Sequence, residues 1–124
     1  MKKVIATPDA PKAVGPYSQA IEVNGTVYVS GQIPVVPADG SVPEKIEDQT
    51  RQSLRNVGAI LKEAGLGYEN VVKTTVLLAD IADFAAMNGV YAEFFTEDKP
   101  ARACYQVAAL PLGVKVEIEA IAVK

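Results

Sequence analysis

The chain reads as an α+β protein: a two-layer sandwich in which two helices lie on one face of a mixed sheet of about six strands. Three observations predict this. An Asn24-Gly25 pair separates two short strand-like runs, 18–23 and 26–30. Two segments carry apolar residues at helical spacing. Three more runs, 71–79, 102–108 and 114–123, are β-branched and apolar or alternate with period two. The order is strands, helix, strand, helix, strands, and two amphipathic helices of this length cover one face of such a sheet.

Each element has its own cause. Asn-Gly is the strongest two-residue hairpin signal, because both turn positions need positive φ. Ile46, Thr50, Leu54, Val57, Leu61 and Ala64 recur at three- and four-residue spacing, and Gly65 ends that helix. Asp80 is placed to cap a second helix with Phe84, Met87, Tyr91 and Phe94/Phe95 on its apolar face. The Pro- and Gly-rich stretches, Pro8 to Pro16 and Pro34 to Pro43, are short enough to be loops. Residues 1–124 therefore form one domain, the size expected for 124 residues.

Composition narrows the chemistry. Twelve Lys and Arg stand against fifteen Asp and Glu, a net charge of −3, which gives no electrostatic footprint for nucleic acid. There is no His, hence no imidazole base and no His metal ligand. One Cys excludes an internal disulfide and a thiolate zinc site. The start, Met1 to Pro8, has a basic pair but no apolar signal region, and no run approaches the roughly 20 apolar residues of a membrane span. A cytoplasmic protein without a His or thiolate metal site, a membrane span or a nucleic-acid partner is expected.

Strand parity points to an assembly. Val114, Val116, Ile118, Ala120 and Ala122 share one face; Lys115, Glu117, Glu119, Ile121 and Val123 share the other. With the apolar set against the helices, Arg102, Cys104, Glu117 and Glu119 are expected together on the second face. That face also carries Ile121 and Val123, and 71–79 is apolar on both parities. So many apolar side chains imply a homo-oligomer that packs these faces together.

Few residues can carry chemistry. Arg102 is either a guanidinium fork for a small carboxylate or half of an ion pair with Glu117 or Glu119. Glu117 either orients a water or is a solvated carboxylate. Cys104 is either a nucleophile beside Arg102 or a small buried side chain. Tyr17, in Gly15-Pro16-Tyr17-Ser18, is an aromatic on a rigid loop. Ser30 and Gly31 close a strand where a ligand can approach the backbone, and Asn88 sits on the second helix. Gly65-Leu66-Gly67 lacks a third Gly at Asn70, so no dinucleotide loop exists there.

These residues belong to a longer pattern: Gly15-Pro16-Tyr17-Ser18-Gln19-Ala20, Ser30-Gly31-Gln32-Ile33-Pro34, Gln52-Ser53-Leu54-Arg55-Asn56-Val57, Pro100-Ala101-Arg102-Ala103-Cys104, Leu110-Pro111 and Val116 to Ala122. In that order and spacing, the chain resembles the Rid family of reactive-intermediate (enamine/imine) deaminases over essentially its whole length, and most of all the RidA subfamily. The resemblance implies a chorismate-mutase-like fold assembled as a homotrimeric barrel, with sites between subunits. It implies cofactor-independent hydrolysis of small 2-imino acids such as 2-iminobutanoate, 2-iminopropanoate and 2-aminoacrylate to 2-keto acids and ammonia, which protects pyridoxal-phosphate enzymes. On this resemblance Arg102 binds the substrate carboxylate and Glu117 positions the water. The backbone at Cys104 and Gly31 meets the reacting end, and Tyr17 walls the pocket with Ser30 and Asn88 nearby. The family's aromatic before Pro-Ala-Arg is Lys99 here, a changed lip expected to alter the preferred substrate size. The alternatives are a non-catalytic keto-acid-binding or chaperone-like protein, a ribonuclease, and a chorismate mutase. Missing His and net negative charge oppose the ribonuclease, and a single site Arg opposes the mutase.

Overall fold

The computed structural model describes residues 1–124. Its strands are β1 (Lys3–Ile5), β2 (Ala20–Val23), β3 (Thr26–Gln32), β4 (Val71–Leu78), β5 (Ala101–Gln106) and β6 (Val116–Val123). Its helices are α1 (Ile46–Glu63) and α2 (Phe84–Phe94). The six strands form one mixed sheet in the order β1-β2-β3-β6-β4-β5. Strands β1 to β3 make an antiparallel meander, β6 runs antiparallel between β3 and β4, and β5 lies parallel to β4 at the far edge.

Local chemistry sets these elements. Val23 pairs with Thr26 across a two-residue turn, with Asn24 at φ 50° and Gly25 at φ 79°. That mirror-image turn follows the strand twist. Helix α1 ends in a Schellman motif: the N–H of Gly65 donates to the Lys62 carbonyl and that of Leu66 to the Leu61 carbonyl. Asp80 does cap, but it accepts from Ala82 N–H in a 3-10 turn (Ile81–Asp83), so α2 starts one turn later than its cap residue indicates. The three-residue β1 was not readable in advance, because so short a run shows no alternation.

One core fills the space between the sheet and the helices. Val76, Leu78, Val116 and Ile118 meet Leu54, Val57 and Ile60 of α1 and Met87 of α2. Each such fully buried side chain contributes about 1.5–3 kcal/mol over an exposed one. The expected apolar parity of β6 is the one that packs here. The opposite face of the sheet has no cover, and Val4, Tyr28, Tyr105 and Val123 remain exposed on it. No helix is long and apolar enough to cross a membrane.

The sheet is irregular between Val71 and Lys73 of β4 and again in β3, beside the candidate site. Val29 pairs with Ala120, and the next pair is Gln32 with Ile118. Ser30 and Gly31 therefore stand opposite Glu119 alone, a β-bulge that inserts one extra residue into β3. Beyond it Gln32 takes the buried, helix-facing side, which strict alternation would have given to Gly31.

Candidate active site

The candidate residues gather in two groups. Tyr17, Ser30, Gly31 and Glu117 line one cleft of about 880 Å³, walled also by Lys12, Val14 and Leu112. Arg102, Asn88 and Cys104 form the second group, where the edge strand β5 meets α2.

In the cleft, the bulge lays Gly31 against Glu117. A Cβ on Gly31 would overlap the Glu117 carboxylate, so only glycine allows this approach. Ser30 is fixed from both ends: its N–H donates to the Gln19 carbonyl (2.9 Å) and its hydroxyl to the Ser18 carbonyl (2.6 Å). Buried Gln19 accepts from Thr7 N–H at 2.7 Å and donates to the Thr7 and Pro11 carbonyls, which ties down the segment that carries the cleft wall. Half-burial pushes the Glu117 carboxyl above its ordinary range, and the like charge of Glu119 pushes the same way. Such a carboxylate is a better proton acceptor near neutral pH than a solvated one.

Arg102 is held by a different set. Its Nη1 donates to Asn88 Oδ1 at 2.7 Å. Its guanidinium carbon lies 4.8 Å from the Tyr91 ring centroid and 5.5 Å from that of Phe84. Tyr91 in turn shares a 2.6 Å hydrogen bond with Thr74 of β4. Stacking and one neutral hydrogen bond fix the fork without neutralising it. The ion pairs of the chain are Arg51 with Asp48 and Glu93, and Lys124 with Glu22. Arg102 is in none of them, so the alternative of a structural pair with Glu117 or Glu119 does not hold within the chain.

The strand-parity expectation for β5 is corrected. Arg102 pairs with Thr74, which pairs with Ala120; Cys104 pairs with Val76, which pairs with Ile118. Arg102 and Cys104 thus lie on the helix-facing side, while Glu117 pairs with Leu77 on the other. The physical reason lies in α2. It covers the sheet edge with Phe84 and Tyr91, whose ring faces accept a guanidinium, so the polar set of β5 turns inward and Ala103 and Tyr105 turn outward. Tyr91 and Thr74 escaped the sequence reading as site residues because Tyr91 counts as apolar at its helical position. Thr74, standing between buried Val71 and Val76 of β4, was the available signal.

Cys104 packs against the core, and burial pushes its thiol up, with the Arg102 charge opposing. That makes it a protonated, poor nucleophile. Lys99, the departing lip residue, is exposed and donates to the Thr96 carbonyl at 3.3 Å.

The model of the family described as Endoribonuclease L-PSP matches residues 7–124. The Rid-family protein YyfA of Yersinia pestis, a solved structure, superposes with a TM-score of 0.97 at 48% identity over 100% of both chains. This chain belongs to the Rid family. A second solved structure, E. coli TdcF with bound serine, superposes with a TM-score of 0.94 at 50% identity over 98% of each chain. The 2-iminobutanoate/2-iminopropanoate deaminase of Mus musculus is 54% identical over 125 residues, spanning 100% of this chain and 93% of that protein. The Rid fold and the sequence likeness thus cover the same full length.

Proposed function

We propose that the chain hydrolyses small 2-imino acids and their enamine tautomers to 2-keto acids and ammonia. Support comes from membership of the Rid family and from 54% identity to a 2-iminobutanoate/2-iminopropanoate deaminase. The observation that carries the reading is Arg102, a guanidinium held rigid by Asn88 and Tyr91 yet free of any carboxylate. It is a prepared site for a small anionic group.

The reaction needs little else. Arg102 binds the substrate carboxylate bidentately. Glu117 accepts a proton from a water, whose oxygen bonds to the imine carbon. That proton passes to nitrogen to give a carbinolamine; Glu117 then relays the hydroxyl proton to the amine, the C–N bond breaks, and ammonia leaves as the carbonyl forms. An imine is already electrophilic, so orientation and proton transfer suffice, and we assign no cofactor. Tyr17, Ser30 and Gly31 shape the pocket, and the backbone at Cys104 meets the reacting end. A single half-buried thiol fits a reducing, cytoplasmic setting.

Arg102 and Glu117 lie on opposite faces of one sheet. A site that uses both takes Glu117 and its cleft from a second copy. The uncovered apolar face supplies the surface for this, and we assign a homotrimer with three intersubunit sites. The test is ammonia and keto-acid release from 2-iminobutanoate made in situ by a threonine dehydratase. Wild type accelerates it; Arg102→Ala and Glu117→Ala each lose on the order of a hundredfold or more. No acceleration by well-folded wild type overturns the assignment.

A further inference from the structure

We propose that Ser53 and Asn56 of α1 are positioning residues that lock the β3 bulge in register and thereby hold Gly31 against Glu117. The inference rests on the role just assigned to Glu117. Both residues come from the Gln52-Ser53-Leu54-Arg55-Asn56-Val57 segment, for which the reaction itself has no use.

The geometry is specific. Ser53 and Asn56 are 0% and 1% exposed, on the helix side of the sheet. Neither spends its hydrogen bonds on its own helix backbone. Ser53 Oγ donates to the Gln32 carbonyl at 2.7 Å. Asn56 Nδ2 donates to the Ile33 and Val35 carbonyls at 3.1 and 3.0 Å, and Gln52 Nε2 orients it by donating to Asn56 Oδ1 at 2.9 Å. All three captured carbonyls follow the bulge directly. A polar group this deeply buried is costly without its partner, so each bond enforces one backbone position. Gln32 completes the grip, its Nε2 donating to the Ser30 carbonyl at 2.9 Å. A slip by one residue would exchange the faces of Gly31 and Gln32 and open the wall over Glu117.

The consequence is electrostatic. The burial that pushes Glu117 up requires the Gly31 strand to stay seated on it. The other titratable groups lining the cleft are Lys12 and Tyr17 from the N-terminal segment and Glu119 on its own strand; β4 places Leu77 and Thr75 alongside. None of these hydrogen-bonds to Ser53 or Asn56 through its side chain. Releasing the bulge therefore hydrates Glu117 and moves it back toward an ordinary carboxylate.

The experiment uses the assembled full-length protein with carbon-13-labelled Glu carboxyls. Glu117 titration is followed by NMR, beside the pH profile of kcat/KM for 2-iminobutanoate. Ser53→Ala and Asn56→Ala are expected to lower the Glu117 midpoint and move the acid limb to lower pH. They should also reduce kcat about tenfold. Thr50→Val is the control: Thr50 is equally buried on α1 but bonds only to the Ile46 carbonyl of its own helix. It should lower the melting temperature and leave Glu117 unmoved. An unchanged midpoint and acid limb in Ser53→Ala and Asn56→Ala overturns the proposal, whatever their stability. The titration needs no turnover, so a wild type without imine hydrolysis defeats the functional reading alone.

Discussion

Glu117 carries the pH dependence at the residue scale. Its folded value lies above its unfolded one because of burial and Glu119. Between those values the folded state binds more protons than the unfolded state. Its contribution to stability is therefore present at low pH and lost as pH rises through the raised value. On the proposed mechanism activity should run the opposite way, because a general base must be ionised. The acid limb of kcat/KM should fall above the ordinary Glu range, near 4.3. Glu117→Gln should abolish turnover while flattening the loss of stability with rising pH, read by denaturant titrations across that window. Cys104 gives a contrast. Its thiol is pushed up by burial, so Cys104→Ser should keep kcat within about threefold; a hundredfold loss would restore a nucleophilic role. Arg102 and Glu117 were both visible in the sequence as residue types suited to the reaction. The side of Glu117 was legible too, because the all-apolar set of β6 marks the covered face; that of Arg102 was not, because neither set of β5 is purely apolar.

The decisive element is the bulge of β3. Gly31 is not at positive φ, so its requirement is steric alone. Gly31→Ala should displace the Glu117 carboxylate and cost on the order of tenfold or more in kcat with little change in melting temperature. Gly25 is the opposite case: at φ 79° with open space around it, Gly25→Ala should cost about 1 kcal/mol of stability and leave kcat alone. The hairpin, the period of α1 and its Gly65 stop were legible because each depends on local backbone chemistry. The bulge was not, since Ser30-Gly31-Gln32 reads equally well as unbroken alternation. Its register is fixed from a distance, by Ser53 and Asn56. The start of α2 missed by a turn for a similar reason, since Asp80 caps a 3-10 turn as well as it caps a helix.

At the scale of the whole molecule, the sheet has a covered face and a bare one, as the strand pattern foretold. Tyr28, Tyr105 and Val123 stand out from the bare side, 48%, 51% and 41% exposed. Tyr28→Lys should weaken self-association, measured by sedimentation velocity. Complementation checks the sharing of sites. Arg102→Ala and Glu117→Ala chains, each inactive, should regain about one quarter of wild-type activity when refolded together in equal amounts, because about one site in four then pairs an intact Arg with an intact Glu in a closed ring. Absence of any recovery in mixed oligomers would place both residues in one chain's site.

That division of labour over two sides of one sheet has a kinetic consequence. On the proposed intersubunit site, a chain folded around its own core carries both residues on opposite faces and so has no complete site of its own. Turnover then obeys mass action: specific activity should fall on dilution below the self-association constant and return on concentration. On that proposal the newly made chain would stay inert until it met its fellows, and the enzyme's output would report its own abundance.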